Sequence, residues 1–124
     1  MSENNQLTVL VADDDMISLE VFKAMLSQHQ VEVITAESGE QALAALQHKP
    51  DLIFLDFEMP DMSGADVCRQ LRQQPAFATT PVIAVTSHQS ASEMDECRSA
   101  GMNATLHKPV APDALAELLN QYSG

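Results

Sequence analysis

Five short apolar runs alternate with five helix-like stretches along this chain, and that alternation leaves few folds open. The runs are Leu7 to Ala12, Val31 to Ala36, Leu52 to Leu55, Pro81 to Val85 and Ala104 to Leu106. Leu52-Ile53-Phe54-Leu55 is apolar at every position, so its strand must be covered on both faces. That strand ends at Asp56. Repeated strand–helix units predict a parallel sheet with helices on both sides. Right-handed crossovers restrict the topology. The expected order is 2-1-3-4-5, a doubly wound α/β sheet of five parallel strands and five helices with its switch point between strands 1 and 3. Residues 1–124 read as one domain, long enough to bury a core.

The helices carry their own signals. In the first, Ile17, Val21 and Met25, with Phe22 and Leu26, keep i, i+4 spacing and are expected to face the core. Met16 and Leu19 fall outside that stripe and are expected at the surface, beside the acidic run Asp13-Asp14-Asp15. Ser38-Gly39-Glu40-Gln41 has the form of a capping box, followed by Ala42, Leu43 and Leu46 as an apolar face. Lys49-Pro50 stops that helix. Ser63-Gly64-Ala65-Asp66 caps the third helix, with Val67 and Leu71 inward and Pro75 beyond its end. The fourth, near Ser90 to Ala100, is weakly amphipathic and Gly101 suits its C-terminal cap. Pro112 and Asp113 open the last, with Leu115, Leu118 and Leu119 inward.

Charge and composition exclude several functions. A net charge of −12 opposes binding to nucleic acid or to an anionic membrane surface. No apolar run reaches membrane-spanning length, and the polar start Met1-Ser2-Glu3-Asn4-Asn5 does not read as a signal peptide. Cys68 and Cys97 form no metal-ligand or redox motif and read as reduced core thiols, which suits the cytoplasm.

The functional signal lies in the residues at the carboxyl ends of the strands. Asp13 and Asp14 come directly after the first strand, Asp56 ends the third, and Thr86 and Lys108 come after the fourth and fifth. In the expected order these groups meet at the switch point, where open α/β sheets bind ligands. Clustered carboxylates repel unless a cation sits among them, and oxygen ligands with room for water suit Mg²⁺. An aspartate beside Mg²⁺ can attack a phosphoryl group, a step that depends mostly on positioning and charge neutralisation. Lys108 and the Thr86 hydroxyl would cover the remaining phosphoryl oxygens. Taken singly, each residue has an ordinary reading. Asp13 to Asp15 would be a loop and helix cap, Asp56 a turn residue, Thr86 a cap and Lys108 a solvated charge. Asp15 is expected to act only as a cap. The convergence of the other groups on one edge is what favours a site.

The motifs Val11-Ala12-Asp13-Asp14, Leu55-Asp56-Phe57-Glu58-Met59-Pro60-Asp61-Met62-Ser63-Gly64, Val85-Thr86-Ser87 and Lys108-Pro109 resemble those of the receiver domain of two-component response regulators, over essentially the whole chain. The resemblance implies a flavodoxin-like receiver fold and a phosphoacceptor signalling module of a phosphorelay rather than an enzyme. It implies Asp56 as phosphoacceptor, Asp14 as direct Mg²⁺ ligand, Asp13 as support for the ion and the Glu58 backbone carbonyl as a further ligand. Thr86 would be the switch hydroxyl, Lys108 the phosphoryl partner, and Lys108-Pro109 a cis bond. The implied donor is the phosphohistidine of a histidine kinase or a histidine phosphotransfer protein, met through the region of the first helix; the scarcity of basic residues near the outer face of the fifth strand predicts a monomer. Cys97-Arg98-Ser99-Ala100-Gly101-Met102-Asn103 is similar to receivers of hybrid sensor kinases, whereas Met1 and the polar lead-in favour a free-standing receiver.

Departures from the family pattern affect output and lifetime. Thr105 stands three positions before Lys108, where the family often has an aromatic residue, and Arg98 is the expected basic neighbour of that face. The resemblance implies that Glu58 and His88, two positions after Asp56 and Thr86, flank the path of attacking water, although His88 reads as an exposed helix-start residue rather than a catalyst. A competing reading is a haloacid-dehalogenase-like phosphohydrolase, since Asp56-Phe57-Glu58 is similar to its acidic pair. That family places the pair after the first strand, and here it follows the third. A pseudo-receiver is disfavoured because every acceptor-site residue is present.

Overall fold

The computed structural model describes residues 7–87 and 90–122. Five parallel strands form one sheet in the order β2-β1-β3-β4-β5, as the alternation predicts. They are β1 (Leu7–Ala12), β2 (Val31–Ala36), β3 (Leu52–Asp56), β4 (Val82–Thr86) and β5 (Ala104–His107). The helices are α1 (Met16–Leu26), α2 (Gly39–Ala44, continued as a 3₁₀ turn to His48), α3 (Gly64–Arg72), α4 (Ala91–Ser99) and α5 (Pro112–Tyr122). None of the described helices is long and apolar enough to cross a membrane.

Strand side chains alternate between two cores. Leu10, Ala12, Ile53, Leu55, Val82 and Ala84 face α2, α3 and α4, meeting Ala42, Leu46, Val67, Leu71 and Cys97. Val9, Val11, Leu52, Phe54, Ile83 and Val85 face α1 and α5, meeting Phe22, Leu26, Leu115 and Leu119. Leu52 to Leu55 are fully buried, so the continuous apolar run is a central strand as expected. Each such side chain contributes about 1.5–3 kcal/mol on burial.

Helix α1 corrects the sequence reading. Leu19, Phe22 and Leu26 are buried, whereas Ile17 and Val21 are 75% and 53% exposed. Both sets keep helical spacing, and the helix is apolar over most of its circumference, so periodicity could not choose the phase. Phe22 settles it. Its ring packs on Phe54 with centroids 5.0 Å apart. At about 100° per residue, Leu19 and Leu26 share that face while Ile17 lies opposite. Met25 is half-buried at the boundary, and Met16 is exposed as expected.

Other boundaries shift by a residue. β4 starts at Val82 and includes Thr86, and β5 extends to His107. Leu43 and Leu118 are half-buried rather than central to the core. Ser38, Ser63 and Ser90 cap their helices by accepting the amides of Gln41, Asp66 and Glu93. Gly101 follows α4 with φ of 95°, a conformation that suits glycine.

Candidate functional site

Parallel register brings the strand ends to one level. Ala12 pairs with Leu55, which sets Asp13 beside Asp56. Asp56 pairs with Val85 and Thr86 with His107, so Thr86 lies one step and Lys108 two steps beyond the level of Asp56. The Lys108 amide donates to the Thr86 carbonyl at 2.8 Å, which ties the last two strand ends together. The Lys108-Pro109 bond is cis, as the motif implies.

Asp13, Asp14 and Asp56 converge, with carboxylate oxygens all within 4.8 Å of one another. Asp13 and Asp56 are buried and Asp14 is exposed. Lys108 Nζ stands 2.9 Å from Asp13 Oδ2 and 3.3 Å from Asp56 Oδ2. Asp13 Oδ1 accepts the Asp15 amide at 2.9 Å, and Asp56 Oδ1 accepts the Glu58 amide at 3.3 Å. Burial, then the Asp13 carboxylate, push the Asp56 carboxyl up from 3.8 to about 7 against the opposing pull of Lys108. Burial alone would lower the Lys108 ammonium, but its hydrogen bond to Asp13 and the two carboxylate charges reverse this and raise it. One ammonium, Lys108, faces three carboxylates, so the cluster keeps an excess of negative charge. A hard divalent cation with oxygen ligands fits that imbalance.

Asp14, Asp56, Glu58 and Lys108 open on a polar cleft of about 370 Å³, also lined by Met59, Pro60 and Ser87. The Glu58 side chain is exposed. Asp15 caps α1 by accepting the Ile17 amide at 3.0 Å, the role expected of it. Thr86 is buried at the end of β4, and its hydroxyl donates to Glu93 Oε1 on α4 at 3.2 Å. His88 lies outside the described residues. Thr105 is half-buried and shares a shallow cavity with Arg98. Cys68 and Cys97 are buried free thiols whose ionisation burial pushes up, consistent with inert core residues.

Three residues support the site without a sequence signal for that role. Glu93 reads in the sequence only as part of a helix start. Gly64 stands in a recognisable motif, but its reason is spatial: a Cβ there would lie 2.5 Å from the Asp56 carbonyl oxygen. Asp61 accepts the amides of Gly39 and Glu40 at 3.0 and 2.9 Å, tying the loop after Asp56 to the start of α2. Those hydrogen bonds hold its carboxyl below the usual range. Beside the acidic cleft, Ile17, Val21, Met25, Pro109 and Val110 line a second groove of about 430 Å³.

The family model of the response regulator receiver domain matches residues 9–120. Among curated proteins, the signal transduction histidine-protein kinase BarA of Escherichia coli is 38% identical over 117 residues, covering 94% of this chain. The chain spans only 13% of that kinase's length. Among solved structures, the chemotaxis protein CheY4 of Vibrio cholerae superposes with a TM-score of 0.90 at 30% identity, covering 94% of this chain and 98% of that one. The receiver domain of sensor histidine kinase PA1611 from Pseudomonas aeruginosa, which has a magnesium ion coordinated in its active site cleft, gives a TM-score of 0.89 at 28% identity over 96% of this chain and 98% of its own.

Proposed function

We propose, since this chain belongs to the response regulator receiver domain family, that Asp56 accepts a phosphoryl group from a phosphohistidine on a histidine kinase or histidine phosphotransfer protein. The observation that carries this reading is the meeting of Asp13, Asp14, Asp56 and Lys108 at the carboxyl edge of the sheet. In the transfer, the donor's P–N bond breaks and a P–O bond forms to an Asp56 carboxylate oxygen. Asp56 is the nucleophile, and the Glu58 amide orients it through Oδ1. Lys108 neutralises negative charge on the arriving group. The Thr86 hydroxyl is the donor reserved for a phosphoryl oxygen. Mg²⁺, held by Asp13, Asp14, Asp56 and the Glu58 carbonyl, would supply the charge neutralisation that three carboxylates lack.

The apolar groove of Ile17, Val21 and Met25 shares Ser87 and Lys108 with the cleft, and Asp14, Asp15 and Glu20, near these residues in sequence, are exposed. An amphipathic partner helix with a basic margin would lay its apolar face there and bring its histidine to Asp56. Like-charge repulsion at a net charge of −12 favours a monomer. Reduced buried thiols suit a cytoplasmic location. The same site serves a free-standing receiver or one within a hybrid kinase, and the likeness to BarA supports the latter context equally. Family membership favours a signalling role for residues 1–124 over the dehalogenase-like hydrolase reading. Treatment with a small acyl phosphate and Mg²⁺, followed by mass spectrometry, should show one phosphoryl group on Asp56. Equal labelling of Asp56→Asn would refute the assignment.

A further inference from the structure

The Thr86 hydroxyl is the group that the proposed function reserves for the phosphoryl oxygens, yet it already donates to Glu93 Oε1 at 3.2 Å. A threonine hydroxyl has one proton to give. Phosphoryl oxygens, like carboxylate oxygens, only accept. Thr86 therefore cannot hold Glu93 and a phosphoryl group with the same proton. From this contact we infer that Glu93 is a positioning residue that restrains the switch hydroxyl of the unphosphorylated protein and competes with the phosphoryl group for it. The inference rests on Asp56 as phosphoacceptor.

The setting of Glu93 makes the competition consequential. Glu93 lies in the first turn of α4, where its own amide donates to the capping Ser90 Oγ at 3.3 Å. Of α4 only Cys97 is buried, whereas α3, of equal length, buries Gly64, Ala65, Val67, Cys68 and Leu71. Elsewhere α4 is tied to α3 by an exposed pair, Glu96 and Arg69, at 3.6 Å, a type of contact that contributes little. The Thr86–Glu93 bond, with Thr86 buried, is thus a substantial part of what fixes the first turn of α4 on the sheet edge. When Thr86 turns to the phosphoryl group, that turn loses its tether. The signal then leaves the site through the start of α4, next to the cleft, and needs no aromatic residue at Thr105.

The test uses beryllofluoride with Mg²⁺ as the phosphoryl mimic. Removing one hydrogen bond of this kind shifts an equilibrium by roughly three- to tenfold. Glu93→Ala should bind beryllofluoride tighter by that factor. Glu93→Gln keeps an oxygen that accepts the hydroxyl and should stay close to the parent. In a Thr86→Ala background, Glu93→Ala should give no gain. In metal-free protein, the Thr86 methyl resonance should move in Glu93→Ala and stay in Glu93→Gln. A Glu93→Ala affinity equal to or weaker than the parent's overturns the inference. So does a gain that Glu93→Gln matches or that survives without the Thr86 hydroxyl, since either would trace to charge alone. Failure of the phosphoacceptor reading looks different: the parent itself would bind beryllofluoride no better than Asp56→Asn.

Discussion

Asp56→Asn should make the metal-free protein more stable, although it removes the proposed nucleophile. In the folded protein burial and the Asp13 carboxylate raise the Asp56 carboxyl from 3.8 to about 7. Between those values the folded state holds a proton that the unfolded chain has released. Stability linked to Asp56 is therefore complete below the unfolded value and is lost as pH rises through the folded one. The separation corresponds to at most about 4 kcal/mol above pH 7. Asparagine removes the charge and keeps the shape, but it also deprives Lys108 of one of two anionic partners, leaving a gain of roughly 1–3 kcal/mol. For 124 residues, at about 2.1 cal/mol/K of unfolding entropy per residue, this raises Tm by roughly 4–12 °C. Thermal melts in a chelator, from pH 4 to pH 8, measure it. The gap between variant and parent should be near zero at pH 4 and widen through neutrality. Mg²⁺ should then raise the parent's Tm and leave the variant's nearly unchanged, because an ion stabilises only the state that binds it. A variant that melts at or below the parent at pH 7.5, or a gap independent of pH, would refute the repulsion argument.

The α1 surface gives a second test. Ile17→Glu and Val21→Glu change exposed side chains, so stability should move by no more than about 0.5 kcal/mol. Phosphotransfer from a protein donor should slow severalfold, with labelling by a small acyl phosphate unchanged; equal slowing in both assays would remove the groove from the docking route. Leu19→Glu should instead abolish cooperative folding, because it puts a carboxylate in the core between α1 and the sheet. Gly64→Ala should cost about 1–3 kcal/mol, since its new methyl meets the Asp56 carbonyl. Labelling of Asp56 should slow with it, and chemical denaturation beside a labelling time course checks both.

The contrast between α1 and the sheet edge explains which features are legible in the sequence. Asp13, Asp14, Asp56, Thr86 and Lys108 are legible because each ends an apolar run or lies within two residues of its end. In a parallel sheet the register then dictates which residues share a level, as Ala12 with Leu55 and Asp56 with Val85 do. Backbone geometry alone brings them together. Helix α1 has no such constraint. Its apolar residues cover most of its circumference, so the choice between Ile17 and Leu19 falls to Phe22 packing on Phe54 from a distant strand.

Glu93 is illegible, and the contact that Asp61 makes is hidden although its place in a motif is visible, for a related reason. Each acts across a gap that no local pattern spans: Glu93 reaches from α4 to the Thr86 hydroxyl, and Asp61 reaches from the loop after β3 to the amides that open α2. Gly64 sits between these cases, since its place in a motif is visible while the close approach to Asp56 is not. The residues proposed for the chemistry are thus set by strand ends. Those that support them are set by contacts between elements. This chain can therefore keep its acceptor site and change its output by altering Glu93, since Glu93 bonds the Thr86 hydroxyl while Asp13, Asp56 and Lys108 meet one another at the strand ends.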